Sequence, residues 1–413
     1  MNRLAGSARV VELADTPDLG SGAAGIRVQV PSLARIMIIK SSYLVTVLVS
    51  VLLVFAGHKI AMNGLFSSGQ VSHEVARAKI QSVTGRITPV DDSGGLIPMQ
   101  GDSIVFEAKI TGGPRKGEIV SASQNLGGFA GVSTKEVAKG DTVLLTNFNN
   151  EWYFNGYFRT SKLLVLGLLF VLSVLIFGGR KGFNTILSLG LTCASIFAIL
   201  IPAILSGKNI YTMSILVCVY TIAMTLLIVI GFNKKSLAAA VGCASGVTVA
   251  GIITVIMDKV LVLSGIVDEH SRYLAGLPLE NQINLRAIIF AGIIIGAMGA
   301  VMDVAISIAS SLWELKEKAA AINFKSLFRS GLNIGRDILG TMANTLVLAY
   351  IGSSLSVVLI LSVYSNSLLS LVNSEMIVVE ILKTLAGTLG ILSAMPLTAL
   401  FCSFFYLKKD KDI

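Results

Sequence analysis

Long apolar runs joined by short polar links dominate the chain. Stretches able to cross about 30 Å of hydrocarbon, some 20 residues each, fall at 41–62, 162–179, 183–205, 210–232, 236–257, 287–310, 338–363 and 385–407. They predict an α-helical polytopic membrane protein with about eight transmembrane helices. One long polar insertion, 67–160, separates the first span from the second, and within it the hydrophobic period changes. In the run from Ile104 to Ile110 the apolar residues Ile104, Phe106, Ala108 and Ile110 alternate with Val105, Glu107 and Lys109, the period of a half-buried strand. Residues 142–146 and 152–159 offer further strands, with turn clusters at 91–95 and 112–117. The insertion is expected to be a small all-β domain, either an OB-like barrel or a short sandwich.

Residues 1–36 show neither period. The strings over 10–22 and 27–31 look like the translation of a bacterial leucine transfer-RNA gene. That reading makes 1–36 an extension outside the evolved protein and Met37 its start; a disordered cytoplasmic tail is the other reading. The remaining organisation is a first anchor over 37–66, the β-domain over 67–160, and a seven-helix membrane domain over 161–413.

Only 14% of the residues are charged and 54% are hydrophobic, against about 25% charged in soluble chains, so the bilayer is the main solvent. The net charge of +9 is explained by its location. One set of short loops carries Lys40, Arg180, Lys181, Lys234, Lys235, Lys316, Lys318, Lys325, Arg329, Arg336, Lys408, Lys409 and Lys411; the opposite set carries only Lys208, Lys259, Arg272, Arg286 and Lys383. By the positive-inside rule both termini are expected to be cytoplasmic, in a bacterial cell membrane, with the β-domain outside. Residues 66–160 hold nine basic and nine acidic side chains, so no nucleic-acid partner is expected. Cys193, Cys218, Cys243 and Cys402 lie in apolar runs, and His58, His73 and His270 are too far apart for a metal motif; no disulfide framework, metal or cofactor is expected.

Polar side chains inside the spans are the candidates for chemistry, because a charge in hydrocarbon normally faces a bundle interior, a cavity or a partner. Gly292, Gly296, Gly299 and Asp303 recur at helical spacing on one stripe, which is expected to pack closely on a neighbouring helix and hold Asp303 beside it. Its plainer alternative is a carboxylate wetted near the inner interface. In the next span Asp337, Gly340 and Asn344 share a face, with Arg336 beside the acid; Asp337 could equally cap that helix. Glu380 and Lys383 form an i,i+3 pair at the outer start of the last span, read as an interfacial salt bridge, with Gly387, Gly390 and Pro396 following. Gly242 and Gly246 make a further small-residue contact. Residues 313–328 read as an amphipathic helix on the inner leaflet. The aromatic cluster of Trp152, Tyr153, Phe154, Tyr157 and Phe158 reads as domain core plus an interfacial belt in preference to a ligand-stacking platform.

Three linked motifs follow Gly178-Gly179-Arg180-Lys181-Gly182: Gly292 with Gly296-Ala297-Met298-Gly299-Ala300-Val301-Met302-Asp303, then Gly335-Arg336-Asp337-Ile338-Leu339-Gly340-Thr341-Met342-Ala343-Asn344, and Gly390 with Pro396-Leu397-Thr398. In these the chain resembles the YibE/F-like family of bacterial multi-pass membrane proteins. The family has no well-established activity, so the resemblance implies the architecture and, because relatives are often encoded in pairs, a paired membrane subunit; a homodimer is the alternative. No nucleotide loop, zinc-protease pattern or nucleophile elbow is present, and an intramembrane aspartyl mechanism would require Asp303 and Asp337 to face each other. The expected function is that of a transporter or exporter subunit with a polar site among the last three spans. The alternative is a non-transporting scaffold or sensor whose β-domain binds an envelope partner.

Overall fold

The computed structural model describes residues 33–63, 74–87, 102–113, 115–126, 135–277, 282–319, 322–364 and 367–407. Residues 1–32, the turn expected at 91–95 and the basic residues Lys408, Lys409 and Lys411 lie outside them. The chain forms two compact units, Ser67–Gly179 and the combination of Met1–Phe66 with Arg180–Ile413.

In the first unit five strands, β1 (Val75–Ile87), β2 (Ser103–Gly112), β3 (Ile119–Asn125), β4 (Thr142–Phe148) and β5 (Glu151–Tyr157), close into a barrel of order β1-β2-β3-β5-β4. This is the barrel of the two forms expected. Closure depends on β1, whose first half pairs with β4 while its length pairs with β2, and on a short parallel contact of Ala122 and Ser123 with Trp152 and Tyr153. The alternation read from the sequence holds: Ile104, Phe106, Ala108 and Ile110 all point inward. They meet Ala78, Ile80, Val143, Leu145 and Trp152 in one core. Gln124 is fully buried there and satisfied, donating to the Lys135 carbonyl and accepting from the Val137 N–H, both at 2.9 Å. That pairing fixes 135–137 against the barrel, since an unpaired amide in a core costs about 1–3 kcal/mol. Of the aromatic cluster, Trp152 is core, Phe154 and Tyr157 pack edge to face at 5.4 Å, and Tyr153 is exposed. Trp152, with Phe154 and Tyr157 packed against the core, bears out the domain-core part of the expectation for this cluster.

The second unit is helical. Its members are α1 (Leu33–Met62), the part of α2 (Thr160–Ser195) beyond Gly179, α3 (Ile201–Leu205), α4 (Ile210–Val229), α5 (Lys234–Val260), α6 (Glu269–Ala275), α7 (Leu285–Lys318), α8 (Phe324–Ser353), α9 (Leu355–Tyr364), α10 (Leu368–Asn373) and α11 (Glu375–Leu407). Asparagine starts four of them. Asn209, Asn233, Asn284 and Asn323 each accept the N–H three residues on, opening α4, α5, α7 and α8 by satisfying one of the helix's orphan donors. Between α2 and α3 a π-helical turn, Ile196–Leu200, presents the Ala198 carbonyl to His58, whose Nδ1–H donates to it at 2.7 Å.

The core is built on α7, with α5 and α11 against it and Ile294, Val301, Ala305, Ile308 and Leu312 at its centre. The closest crossing is between α5 and α11. A methyl group on Gly246 would come within 2.6 Å of the Ala394 Cβ and 2.8 Å of the Gly390 carbonyl, while one on Gly390 would meet the Gly246 carbonyl at 3.1 Å. Gly242 approaches Thr398 in the same way. On α8, Gly331 packs on Leu312 and Ala399, and Gly335 on Ile308 and Met395. The amphipathic surface helix expected over 313–328 is not formed: α7 runs to Lys318 and α8 begins at Phe324, with Trp313 stacked edge-on to Tyr406 at 5.0 Å and Leu327 buried. The apolar residues of that segment serve two different helices packed into the core.

Six helices among the described residues are long and apolar enough to cross a membrane, or seven if α8 and α9, bent by 57° at their junction, count as one span. The expectation of about eight differs at one place. Residues 160–205 count as a single helical stretch of 46 residues, interrupted at Gly179, whose φ of 52° and ψ of −129° are non-helical. At about 1.5 Å per residue that stretch exceeds twice the hydrocarbon thickness.

Candidate functional site

Helix α7 carries the predicted stripe on the one face that its neighbours leave open. Gly292, Gly296, Gly299 and Asp303 are all exposed, whereas Ile293, Ile294, Ala297, Met298, Val301 and Met302 between them are buried. A methyl group on Gly292 or Gly299 would meet no atom within 4 Å, and one on Gly296 only the hydroxyl end of Tyr350. The expectation of a helix–helix contact is therefore corrected at Gly292 and Gly299 for contacts within the chain, while Gly296 does lie under Tyr350 of α8; bulky residues on the other faces make most of the packing, and the tightest small-residue seam is that of α5 with α11. Gly387 and Gly390 do serve as predicted, whereas Gly340 faces open space. α11 continues as helix through Pro396.

The opposition of Gly331 to Leu312 and of Gly335 to Ile308 makes α8 antiparallel to α7. Continued along both helices, that register places Gly340 level with Asp303 and Asn344 level with Gly299. Arg336, Asp337 and Asn344 are exposed. Asp337 does not cap α8, which starts more than three turns earlier behind Asn323. Among the described residues no hydrogen bond or ion pair joins Asp303 to Asp337, Arg336 or Asn344, so the two acids lie within about one turn of each other in depth without forming a pair.

The charged pair expected at the outer start of the last span is more enclosed than an interfacial salt bridge. Glu380 and Lys383 meet at 2.6 Å with about a quarter of each side chain exposed (22% and 27%), on the wall of an open cavity of about 520 Å³. Asp268, His270, Ser353, Ser354 and Gly292 also line it, so the first glycine of the α7 stripe lies at this cavity. Two local devices shape the wall. Glu375 at the start of α11 accepts from the Ser264 and Gly265 N–H groups at 2.8 and 2.7 Å and from the Ser264 hydroxyl at 2.7 Å, holding the 264–265 turn against that helix. Asp268 and Ser271 form a reciprocal capping box at the head of α6.

The backbone N–H of Ser271 holds the Asp268 carboxyl below the usual carboxylate range, helped by the Ser271 hydroxyl and the charges of His270 and Lys383, against a smaller opposing effect of burial. A folded pKa below the unfolded value of about 3.9 contributes stability that is complete above that value and lost as pH falls through the folded pKa. The cap is worth about 1 kcal/mol. Amide protection of 269–275, corrected for intrinsic exchange, is thus expected to be constant above pH 5 and to fall in acid, and Asp268→Ala to show the low value at every pH. Equal protection in the variant and the parent would remove the cap from this account.

Asp268, His270, Ser353 and Ser354 were not singled out by sequence reasoning. The Asp-x-x-Ser spacing at 268–271 was the only local signal, and it marks a helix start; the cavity itself joins segments far apart in the chain. Among the described residues no three His, Cys, Asp or Glu side chains gather as a metal site. The family model described as YibE/F-like protein matches residues 166–408, more than half of the chain. No curated protein and no solved structure matches.

Proposed function

Given that the chain belongs to the YibE/F-like family, we propose that this multi-pass membrane protein is a transport subunit whose outer cavity opens onto the polar face of α7. The observation that carries this reading is Gly292, which lines the cavity and begins the exposed stripe that leads through Gly296 and Gly299 to Asp303. Three glycines leave room along the face for a solute or water file, and Asp303 supplies a charge where α7 is otherwise apolar. From Arg286, Asp303 is about 26 Å along the helix. Tyr350 of α8 reaches over Gly296, and the face is open at Gly292 and Gly299; the rest of its opposite wall is supplied by another subunit, either the paired YibE/F-like protein or a second copy. Counting Gly179 as the end of one span and α8 with α9 as one gives eight crossings, both termini cytoplasmic and the five-stranded barrel, of the OB kind, outside.

Water access tests this directly. In a cysteine-free full-length chain in intact cells, single cysteines at Gly292, Gly299 and Asp303 are expected to react with a membrane-impermeant methanethiosulfonate, as Lys109→Cys on the barrel does. Leu216→Cys, on the exposed apolar face of α4, is expected to stay unreactive, as is Lys325→Cys. If Gly299→Cys and Asp303→Cys behave like Leu216→Cys, the stripe faces lipid and the transport reading fails.

A further inference from the structure

Helices α4, α5 and α7 leave a groove of about 470 Å³ between them, lined by Ile215, Val219, Ile222, Val247, Ile252 and Ile294 among other apolar side chains. Gly251 keeps it open beside the Phe290 ring, whose edge would lie 3.4 Å from a methyl group there. Its one hydroxyl, of Thr248, donates to the Ala244 carbonyl of its own helix at 2.7 Å and asks nothing of an occupant. Along α5 the groove runs from Ala244 to Ile256, roughly 18 Å at 1.5 Å per residue. One leaflet's hydrocarbon is about 15 Å deep, half of the whole core. The lining has the length and polarity for one acyl chain. A partner helix fits less well: a cylinder 10 Å across and as long would need roughly 1,400 Å³, more than the about 1000 Å³ of empty space the groove offers even with its open side included.

The groove has a polar end. Val255 and Phe290 also border a small recess closed by Tyr211, Asp258 and Arg286, beside the last turn of α5 and the first of α7. Among the described residues neither Asp258 nor Arg286 makes an ion pair. A cation and an anion therefore border one recess without forming an ion pair among the described residues, at the mouth of a slot one acyl chain deep. We propose that this groove binds a zwitterionic phospholipid with a primary ammonium, its chain among α4, α5 and α7, its phosphate at Arg286 and its ammonium at Asp258. A phosphatidylglycerol lacks the ammonium and sets its net negative charge against Asp258. Lys259, exposed next in sequence, attracts any phosphate and so does not select between headgroups.

The test uses the full-length protein in nanodiscs of equal phosphatidylethanolamine and phosphatidylglycerol, released into mild detergent, with retained lipid identified by native mass spectrometry. A single phosphatidylethanolamine is expected to stay with the parent while phosphatidylglycerol washes away. Thr248→Phe, which fills the groove from an exposed position, is expected to lose it; Val219→Phe serves if that variant does not fold. Arg286→Gln is expected to weaken retention of both lipids, and Asp258→Asn to bring phosphatidylglycerol up to the level of phosphatidylethanolamine. Retention in the membrane's own ratio by the parent, or undiminished retention by the folded Phe variants, overturns the proposal. So does a second protein chain that leaves when the groove is filled.

Discussion

Gly246→Leu is expected to melt on the order of 10 °C below the parent, whereas Gly299→Leu melts at or slightly above the parent temperature. At Gly246 the first carbon of any side chain would meet the Ala394 Cβ, the Gly390 carbonyl oxygen and Val301 within 2.8 Å. Two of those neighbours are the backbone and the Cβ of a helix that cannot turn aside without moving as a body. Overpacking a filled core costs about 1–3 kcal/mol when side chains can adjust; here the remaining three carbons of leucine must also be placed. A cost of about 3 kcal/mol or more corresponds to a fall in Tm on the order of 10 °C for a unit of this size. At Gly299 no atom lies within 4 Å of the added carbon, and leucine ranks just below alanine in helix propensity, whereas glycine lies about 0.8–1.0 kcal/mol below alanine. Melting of both full-length variants in the same detergent, at matched expression, decides the matter. A Gly246→Leu protein that melts within a degree or two of the parent would show that α5 and α11 do not cross here.

The two glycine pairs explain what the sequence could and could not reveal. Gly242 with Gly246 and Gly292 with Gly296 have the same spacing, so periodicity places each pair on one helix face with equal force. Which face meets a neighbour depends on the rotation of the helix in the bundle, and that is decided by the large side chains. On α7, Ile293, Ile294, Met298 and Ile308 occupy the contacts with other helices and turn the glycines outward. Span positions were legible because about 20 apolar residues are a local property. The inward face of β2 was legible for the same reason, since alternation needs only neighbouring residues. Barrel closure was not, because β3 meets β5 through two residue pairs separated by the whole of β4. The cavity at Glu380 and Lys383 was hidden for a similar reason: it takes residues from 265–274, 285–292, 353–357 and 376–383. Only Glu380 and Lys383, one turn apart on a single helix, could be paired by spacing alone. The interruption at Gly179 falls at the end of the span expected over 162–179, just before the short loop that carries Arg180 and Lys181; the structure keeps helix on both sides of it.

Replacing Asp303 by leucine is expected to leave melting unchanged and to abolish function. Asp303 is exposed on α7, with neither an ion pair nor a hydrogen bond among the described residues. If lipid were its surroundings, the carboxylate would cost about 2.5–3.5 kcal/mol on insertion scales, and more on others. Leucine would then relieve that cost, and the variant would be markedly more stable than the parent in a bilayer or bilayer-like environment. If water or a polar partner surface covers the stripe, the carboxylate is already solvated and leucine has nothing to relieve. Melting in nanodiscs of the parent, Asp303→Asn and Asp303→Leu therefore reports the environment without knowledge of any substrate. Parent-like melting for all three is the expected result, accompanied by failure of both variants to complement whatever efflux or sensitivity phenotype a deletion strain shows. The asparagine variant keeps the size and hydrogen-bonding capacity of the side chain, so its failure points to the charge itself. A rise of several degrees for Asp303→Leu would instead place Asp303 against lipid, and would leave the cavity at Glu380 and Lys383 with no path inward along α7.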